Sequence, residues 1–216
     1  MYEELQKQLT DNNVTLVAVS KTKPQVAIQE LYDLGHRIFG ENRVQELTEK
    51  HEALPKDIQW HLIGQLQKNK VKYIAPFVDC IQSVDSLALA QVIQKEAIKN
   101  NRSVNILLQI KIAQEESKSG YKYENLIEDI DTIKSLENIN INGVMGIGTF
   151  TGEESITIEE FTRLKEYFDI LKREYFHANE NFKEISMGMS GDYALAIEHG
   201  STMVRIGSLL FGSRNY

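Results

Sequence analysis

A lysine at the end of the first predicted strand is the residue best suited to covalent chemistry. Residues 16–19 are apolar, and Ser20 and Lys21 follow them directly. A lysine amine held in a partly desolvated pocket loses its proton more readily than one in water. The neutral amine can then attack an aldehyde and form a Schiff base. The alternative is a solvated surface lysine, but the apolar run before Lys21 favours the reactive one.

Two short stretches near the end of the sequence are rich in glycine and serine. They cover residues 186–192 and 205–208. We expect the N–H groups of Gly191 and Gly207 to be open to a phosphate, and Ser190 to lie just before a helix, where the helix dipole favours an anion. The alternative is structural: Ser190 or Asp192 caps the helix, and Gly207 forms a turn. The presence of both stretches favours an anion site.

Apolar strands alternate with amphipathic helices along the sequence. We predict strands over residues 14–19, 37–40, 59–64, 77–81, 103–112, 139–145, 184–187 and 202–206. Helices are predicted at 1–13 and then after the strands at 24–34, 42–51, 68–73, 85–98, 124–136, around 161–171 and at 193–199. This alternation indicates an α/β fold, a (β/α)8 TIM barrel that forms a single domain over residues 1–216. The alternative is an open doubly wound sheet, but the Gly-x-Gly-x-x-Gly of dinucleotide-binding folds does not follow the first strand.

A barrel of this kind brings the candidate residues together. Its functional residues lie at the carboxyl ends of the strands, and its phosphate site lies in the loops after strands 7 and 8. Lys21 follows strand 1, and the two stretches rich in glycine and serine follow strands 7 and 8. An amine and a phosphate site at the same barrel mouth suggest pyridoxal phosphate as a cofactor. A phospho-sugar aldolase with a Schiff-base lysine is the alternative on these residues alone.

The composition argues against several other classes of protein. The sequence has 42% hydrophobic residues and a net charge of -7, which indicates one sizeable core and argues against a general nucleic-acid binder. Its single cysteine, Cys80, excludes an internal disulfide, and we expect a buried thiol. The histidines show no metal-ligand spacing. Because neither a membrane span nor a targeting leader is legible, we expect a cytoplasmic protein.

Six motifs give the sequence a family resemblance. They are residues 18–24 (AVSKTKP), 40–46 (GENRVQE), 60–70 (WHLIGQLQKNK), 116–120 (ESKSG), 186–192 (SMGMSGD) and 201–207 (STMVRIG). In this order and spacing they resemble the pyridoxal phosphate homeostasis protein family, whose members are single-domain relatives of the barrel domain of bacterial alanine racemase. The resemblance covers nearly the whole sequence. It implies pyridoxal 5'-phosphate as the cofactor.

The resemblance also implies roles for individual residues. Lys21 matches the lysine that holds pyridoxal phosphate as a Schiff base, and Arg205 matches the arginine that lies near the pyridine nitrogen in the racemase barrel. A cation there keeps that nitrogen unprotonated and weakens the ring as an electron sink. The other implied contacts are the phosphate-binding positions Ser190, Gly207 and Ser208, and the pocket-lining positions Asn42 and His61. For His61 the alternative is a core histidine.

The function implied by the resemblance is that of a carrier. Racemisation needs an acid–base group on each face of the cofactor ring, and in alanine racemase one of them is a tyrosine from a second domain. This sequence reaches Tyr216 soon after its last strand, so we expect no such domain. We therefore expect a non-enzymatic monomer that holds pyridoxal phosphate, buffers it and delivers it to pyridoxal-phosphate-dependent apoenzymes. A weak amino-acid racemase and a Schiff-base aldolase are the alternatives.

Two further features near the predicted barrel mouth have no assigned role. Lys118 follows strand 5 and could face the pocket, although a solvated charged loop is favoured. Residues 151–160 are predicted to form an acidic loop after strand 6, which we expect to be a mobile rim.

Overall fold

The computed structural model describes residues 2–115 and 119–212, which form a closed barrel of parallel strands. In chain order, which is also the order around the barrel, the strands are β1 Thr15–Val19, β2 Ile38–Glu41, β3 Gln59–Leu62, β4 Cys80–Val84, β5 Val104–Gln109, β6 Ile139–Met145, β7 Glu184–Ser186 and β8 Met203–Ile206. The helices are α1 Tyr2–Asp11, α2 Gln25–Asp33, α3 Val44–Ala53, α4 Val71–Ile74, α5 Leu87–Lys99, α6 Tyr123–Lys134, α7 Glu154–Glu174, α8 Tyr193–Glu198 and α9 Ser208–Phe211. In this part of the chain no helix has the length and apolarity needed to cross a membrane.

The first and last strands close the barrel. Leu16 of β1 pairs with Val204 of β8, and Ala18 pairs with Ile206, in parallel register. This pairing confirms the predicted (β/α)8 fold and excludes the open doubly wound sheet. It also brings the residues after β1 next to those after β8, although they are far apart in the sequence.

The apolar core has two layers, one on each side of the sheet. The larger layer lies between the sheet and the helices, and its biggest fully buried side chains include Trp60, Phe39 and Phe161. The smaller layer fills the barrel interior and includes Val17, Cys80, Leu107, Met145 and Met203. Cys80 is therefore the buried core thiol that was expected, and burial raises its pKa well above the ordinary value for a thiol.

Strand β4 lies three residues further along the chain than the sequence pattern indicated. The prediction was 77–81, but the strand runs over Cys80–Val84. Phe77 and Val78 instead form the turn after α4, where both N–H groups donate to the carbonyl of Ile74. The prediction was wrong because Gln82 and Ser83, although buried, are polar and masked the second half of the strand.

Strand β5 is shorter than predicted at its carboxyl end. The prediction was 103–112, but the strand ends at Gln109. Beyond it the chain pairs with Tyr121, whose N–H donates to the Gln109 carbonyl and whose carbonyl accepts from Lys111. The apolar residues Ile110 and Ile112 thus belong to a loop that folds back on itself, and they are buried there.

Candidate functional site

A cavity of about 560 Å³ lies at the carboxyl ends of the strands. This volume is typical of a site for a small molecule or a cofactor. Six of the seven residues implied as cofactor contacts line it, namely Lys21, Asn42, Ser190, Arg205, Gly207 and Ser208. Barrel closure is what brings them together, because some follow β1 and β2 at one end of the chain, whereas the others follow β7 or lie in and after β8 at the other end.

Lys21 lies in a tight turn that follows β1. The N–H of Lys23 donates to the carbonyl of Ser20 at 3.0 Å, which closes the turn around Lys21 and Thr22. Thr22 has a φ of 64°, in the left-handed region that β-branched residues rarely adopt. The turn is also tied to β2, since the Ser20 N–H donates to the Gly40 carbonyl at 3.1 Å.

A largely buried charge cluster lies behind this turn and was not found from the sequence. The Lys50 ammonium donates to Oε1 of Glu41 and Oε1 of Glu46, each at 2.7 Å. It also donates to the Ser20 carbonyl at 2.7 Å. One part of the cluster could have been predicted from the sequence. Glu46 and Lys50 are four residues apart, which places them on the same face of α3.

The two loops of the predicted anion site contact each other directly. The N–H of Gly207 donates to Oγ of Ser190 at 3.2 Å. In this arrangement the Gly207 N–H is thus bonded to Ser190, and its donation to a phosphate stays a prediction. A Cβ at position 207 would lie 3.1 Å from the Val19 carbonyl oxygen, so glycine lets the end of β8 approach β1 closely.

The helix that follows β7 begins at a residue other than Ser190. Asp192 is the residue before α8, and its Oδ1 accepts the N–H of Met189 at 2.5 Å. This bond closes the loop after β7. The hydroxyl of Ser190 is thereby left to face the cavity and Gly207, as the anion-site interpretation requires.

A second lysine of the first loop, Lys23, holds the carboxyl end of α9 beside the cavity. Nζ of Lys23 donates to the carbonyl oxygens of Phe211 and Gly212, at 2.9 and 3.0 Å. Phe211 is the last residue of α9 and Gly212 follows it. This short helix was not predicted from the sequence. Cations stabilise a helix at this end, where carbonyl groups lack partners within the helix.

Arg205 is a buried cation at the inner wall of the cavity. Its guanidinium donates to the carbonyl and Oγ of Ser186, at 2.8 and 2.7 Å, and to the carbonyl of Gly146 at 2.9 Å. Burial lowers its pKa to about 10, and Asp192 opposes the shift. The group therefore stays charged at neutral pH, while its hydrogen-bond acceptors are uncharged oxygens.

His61 does not line this cavity. Its ring is buried inside the barrel, with Nδ1 2.8 Å from Nε2 of Gln82 and Nε2 3.4 Å from Oδ2 of Asp79. Gln82 in turn accepts from Ser186, which contacts Arg205. The structure thus corrects the expected position of His61: its ring is held by Gln82 and Asp79 inside the barrel and is not among the residues that line the cavity.

The two features near the barrel mouth that had no assigned role, Lys118 and the predicted loop over residues 151–160, can now be compared with the structure. Lys118 lies outside the described residues. Residues 154–160 belong to α7, which begins at Glu154, so the prediction of a loop over 151–160 was wrong for most of its length. Glu160 is fully buried and accepts hydrogen bonds from the N–H and hydroxyl of Thr149, at 2.7 and 2.6 Å. It therefore ties the loop after β6 to α7, and mobility of the rim stays a prediction.

The chemistry of the lining fits a phosphorylated heteroaromatic aldehyde. The side-chain oxygen of Asn42 is buried and has no hydrogen-bond partner among the described residues. An unpaired buried acceptor of this kind is costly unless a ligand supplies a donor. Lys21 adds an amine, Ser190 and Ser208 add hydroxyls for a phosphate, and Ile63 with Ile147 supplies apolar walls for a ring.

Comparison with known sequences agrees with this chemistry. The family model for the N-terminal domain of alanine racemase matches residues 2–215. A pyridoxal phosphate homeostasis protein from Aquifex aeolicus is 44% identical over 207 residues, which cover 95% of this chain and 90% of the relative. A pyridoxal phosphate homeostasis protein from Haemophilus influenzae is 39% identical, with 95% of this chain and 87% of the relative covered.

Solved structures show the same relationship. PipY of Synechococcus elongatus without PLP superposes with a TM-score of 0.92 and 36% identity over 98% of both chains. Its structure with PLP bound has a TM-score of 0.85 over 93% of both chains. Alanine racemase of Clostridium difficile shares the fold, with a TM-score of 0.74 and 16% identity over 97% of this chain and 54% of the racemase. The chain thus belongs to the pyridoxal phosphate homeostasis protein family and has the barrel fold of the alanine racemase N-terminal domain.

Proposed function

We propose that this protein binds pyridoxal 5'-phosphate in the cavity and holds it through Lys21. The observation that carries the proposal is that six implied cofactor contacts, drawn from both ends of the chain, line one cavity. The neutral amine of Lys21 forms a C=N bond with the aldehyde carbon, and the aldehyde oxygen leaves as water with the two amine hydrogens. The bond is reversible by hydrolysis, which suits a protein that must release its cofactor.

The other lining residues have distinct binding roles in this proposal. Ser190 and Ser208 hold the phosphate with neighbouring N–H groups, and Asn42 accepts a hydrogen bond from a polar group of the ring. Arg205 is assigned to the pyridine nitrogen. Because its guanidinium is cationic, it disfavours protonation of that nitrogen, and an unprotonated ring is a weaker electron sink.

We further propose that the protein buffers pyridoxal phosphate and delivers it to apoenzymes. Among the described lining residues, the side chains able to take up a proton near the cofactor are Lys21 and Lys23, which follow the same strand. Racemisation needs such groups on opposite faces of the ring, so this arrangement favours the carrier over the racemase. We expect a monomer, which light scattering can check.

The binding proposal is tested by titrating the purified protein with pyridoxal phosphate and recording its absorption spectrum. We expect the band of a protonated Schiff base in the wild-type protein and its loss in Lys21→Ala. Lys23→Ala is the matched control, because Lys23 lines the same cavity but its Nζ donates to carbonyls at the end of α9. A band that survives in Lys21→Ala and disappears in Lys23→Ala would contradict the assignment.

Delivery is tested by mixing the loaded protein with an excess of a pyridoxal-phosphate-dependent apoenzyme. We expect the apoenzyme to gain activity as the protein loses its absorption band. A loaded protein that keeps its cofactor while the apoenzyme stays inactive would contradict delivery.

Incubation of the loaded protein with amino acids in heavy water tests the racemase alternative, and exchange of the α-hydrogen at an enzyme-like rate would favour that activity.

A further inference from the structure

We propose that Glu41, Glu46 and Lys50 form a positioning cluster for Lys21, which fixes the turn that presents its amine to the cavity. The inference rests on the proposed function, since it concerns how Lys21 is held for its reaction with an aldehyde. None of the three residues lines the cavity. Their role is therefore to act through Lys21 and not to contact the cofactor.

Ser20, the residue before Lys21, is held by hydrogen bonds at two of its oxygen atoms. The carbonyl of Ser20 accepts from Nζ of Lys50 at 2.7 Å, and its hydroxyl donates to Oε1 of Glu41 at 2.6 Å. Glu41 is fully buried and Lys50 is only 5% exposed, so water does not compete for these bonds. An ammonium has three donors, and those of Lys50 go to Ser20, Glu41 and Glu46. Its orientation is thereby fixed.

The residue after Lys21 is fixed by the same cluster. Thr22 has a φ of 64°, which is strained for a β-branched residue. Its N–H donates to Oε1 of Glu46 at 2.5 Å. Oε1 of Glu46 also accepts from Lys50, so one carboxylate oxygen connects the strained residue to the buried ammonium. Backbone strain of this kind persists only where the surroundings impose it.

Both chain neighbours of Lys21 are therefore held by one connected set of charges, in which Glu41 and Lys50 are buried and Glu46 is partly exposed. The amine must reach the aldehyde carbon at bonding distance and at the correct angle, and small displacements of a reacting group reduce rates strongly. Groups that support a reactive residue from behind serve this purpose. The cluster thus has a specific expected effect: its loss weakens covalent capture by Lys21 but leaves non-covalent binding in the cavity intact.

The test compares Glu46→Ala with Glu49→Ala, an exposed position on the same helix. Covalent capture is measured by borohydride reduction of the protein with pyridoxal phosphate, followed by mass spectrometry. Non-covalent binding is measured with pyridoxamine 5'-phosphate, which has no aldehyde. Amide hydrogen exchange of Thr22, measured without any ligand, reports directly on the turn.

We expect Glu46→Ala to lower covalent capture about tenfold and to speed Thr22 exchange by at least about tenfold, with pyridoxamine phosphate affinity unchanged. Glu49→Ala should change none of these. Adding Thr22→Gly to Glu46→Ala should restore capture, because glycine adopts a positive φ without the strain that the cluster must hold.

Two results would overturn the inference. One is unchanged capture and unchanged Thr22 exchange in Glu46→Ala. The other is an equal loss of capture and of pyridoxamine phosphate affinity, since the cluster would then support the cavity in general. Failure of the proposed function looks different: the wild-type protein itself would show no covalent capture, while Thr22 exchange in the ligand-free protein would still test the cluster.

Discussion

Ser190 is the residue at which the two loops of the anion site meet. Its hydroxyl accepts the N–H of Gly207 across the gap between the ends of β7 and β8. A bound phosphate has to share or replace this bond, because the same N–H is one of its expected donors. Under the proposed function the hydroxyl therefore has two uses, holding the loops in register and contacting the phosphate.

Replacing Ser190 with alanine removes both uses. We expect Ser190→Ala to weaken cofactor retention by about 1–3 kcal/mol, the range for the loss of a hydrogen bond to a charged group. Equilibrium dialysis against pyridoxal phosphate measures the change. Ser86→Ala serves as the control, since Ser86 lies in the loop after β4 and does not line the cavity. Equal retention by the wild-type protein and Ser190→Ala would remove Ser190 from the site.

Single residues differ in how far their positions could be predicted. Lys21 could be placed because an apolar strand leads directly to it, and barrel geometry then determines which end of the sheet it occupies. His61 could not, because the sequence does not show that Gln82 and Asp79 lie close enough to hold its ring inside the barrel. The cluster around Lys50 was missed because its contacts with Ser20 and Glu41 exist only after the strands pair.

The loop between β7 and α8 shows how an element depends on one glycine. Gly188 has a φ of 91°, and a Cβ there would lie 2.5 Å from Cβ of Ala196 in α8. Its carbonyl accepts the N–H of Arg205 at 3.0 Å, which ties the loop to β8. The glycine thus permits α8 to pack closely behind the predicted anion site.

We expect Gly188→Ala to destabilise the protein by about 1–3 kcal/mol, because it combines an unfavourable φ with a steric overlap. Urea unfolding followed by circular dichroism measures the loss. Gly191→Ala is a matched control in the same loop, since a Cβ at that position has no described heavy atom within 4 Å. Equal stability of the two variants would contradict the close packing described for Gly188.

Most helices and strands could be predicted from the pattern of apolar residues in the sequence. The segments that were missed have physical explanations. The pattern of apolar residues in α7 predicted its buried face, and Phe161, Leu164 and Leu171 are indeed buried. The start of the same helix was missed because its first residues are polar and partly exposed. Helix α9 was missed because it is only four residues long and is held from outside by Lys23.

At the scale of the whole molecule, barrel closure assembles the site. Residues near 20 and near 206 become neighbours because β1 pairs with β8. The alternation of strands and helices was enough to predict this neighbourhood, since an eight-stranded parallel barrel has one way to close. The side-chain contacts inside the barrel depend on strand stagger, which the sequence does not display.

The folded molecule also buries titratable groups, and His36 gives a measurable consequence. Its ring lies between Tyr2 and Phe39, and burial lowers its pKa below the ordinary value of 6.5. The unfolded chain therefore takes up a proton that the folded protein resists. Stability from this group is present above pH 6.5 and is lost as the pH falls through that value toward the lower pKa of the folded state.

As the pH is lowered through this window, we expect the free energy of unfolding to fall by up to about 1.4 kcal/mol per pH unit because of His36 alone. His51 contributes with the same sign, because burial lowers its pKa as well. Urea unfolding at a series of pH values measures the slope, and His36→Phe should reduce it. An identical slope in His36→Phe would show that His36 is not its source.

The proposed function depends most on covalent attachment of the cofactor to Lys21. The direct measurement is borohydride reduction of the protein after incubation with pyridoxal phosphate, followed by proteolysis and mass spectrometry of the peptides. We predict a single phosphopyridoxyl group on the peptide that contains Lys21. Label on other lysines with an unmodified Lys21, or no label at all, would contradict the account.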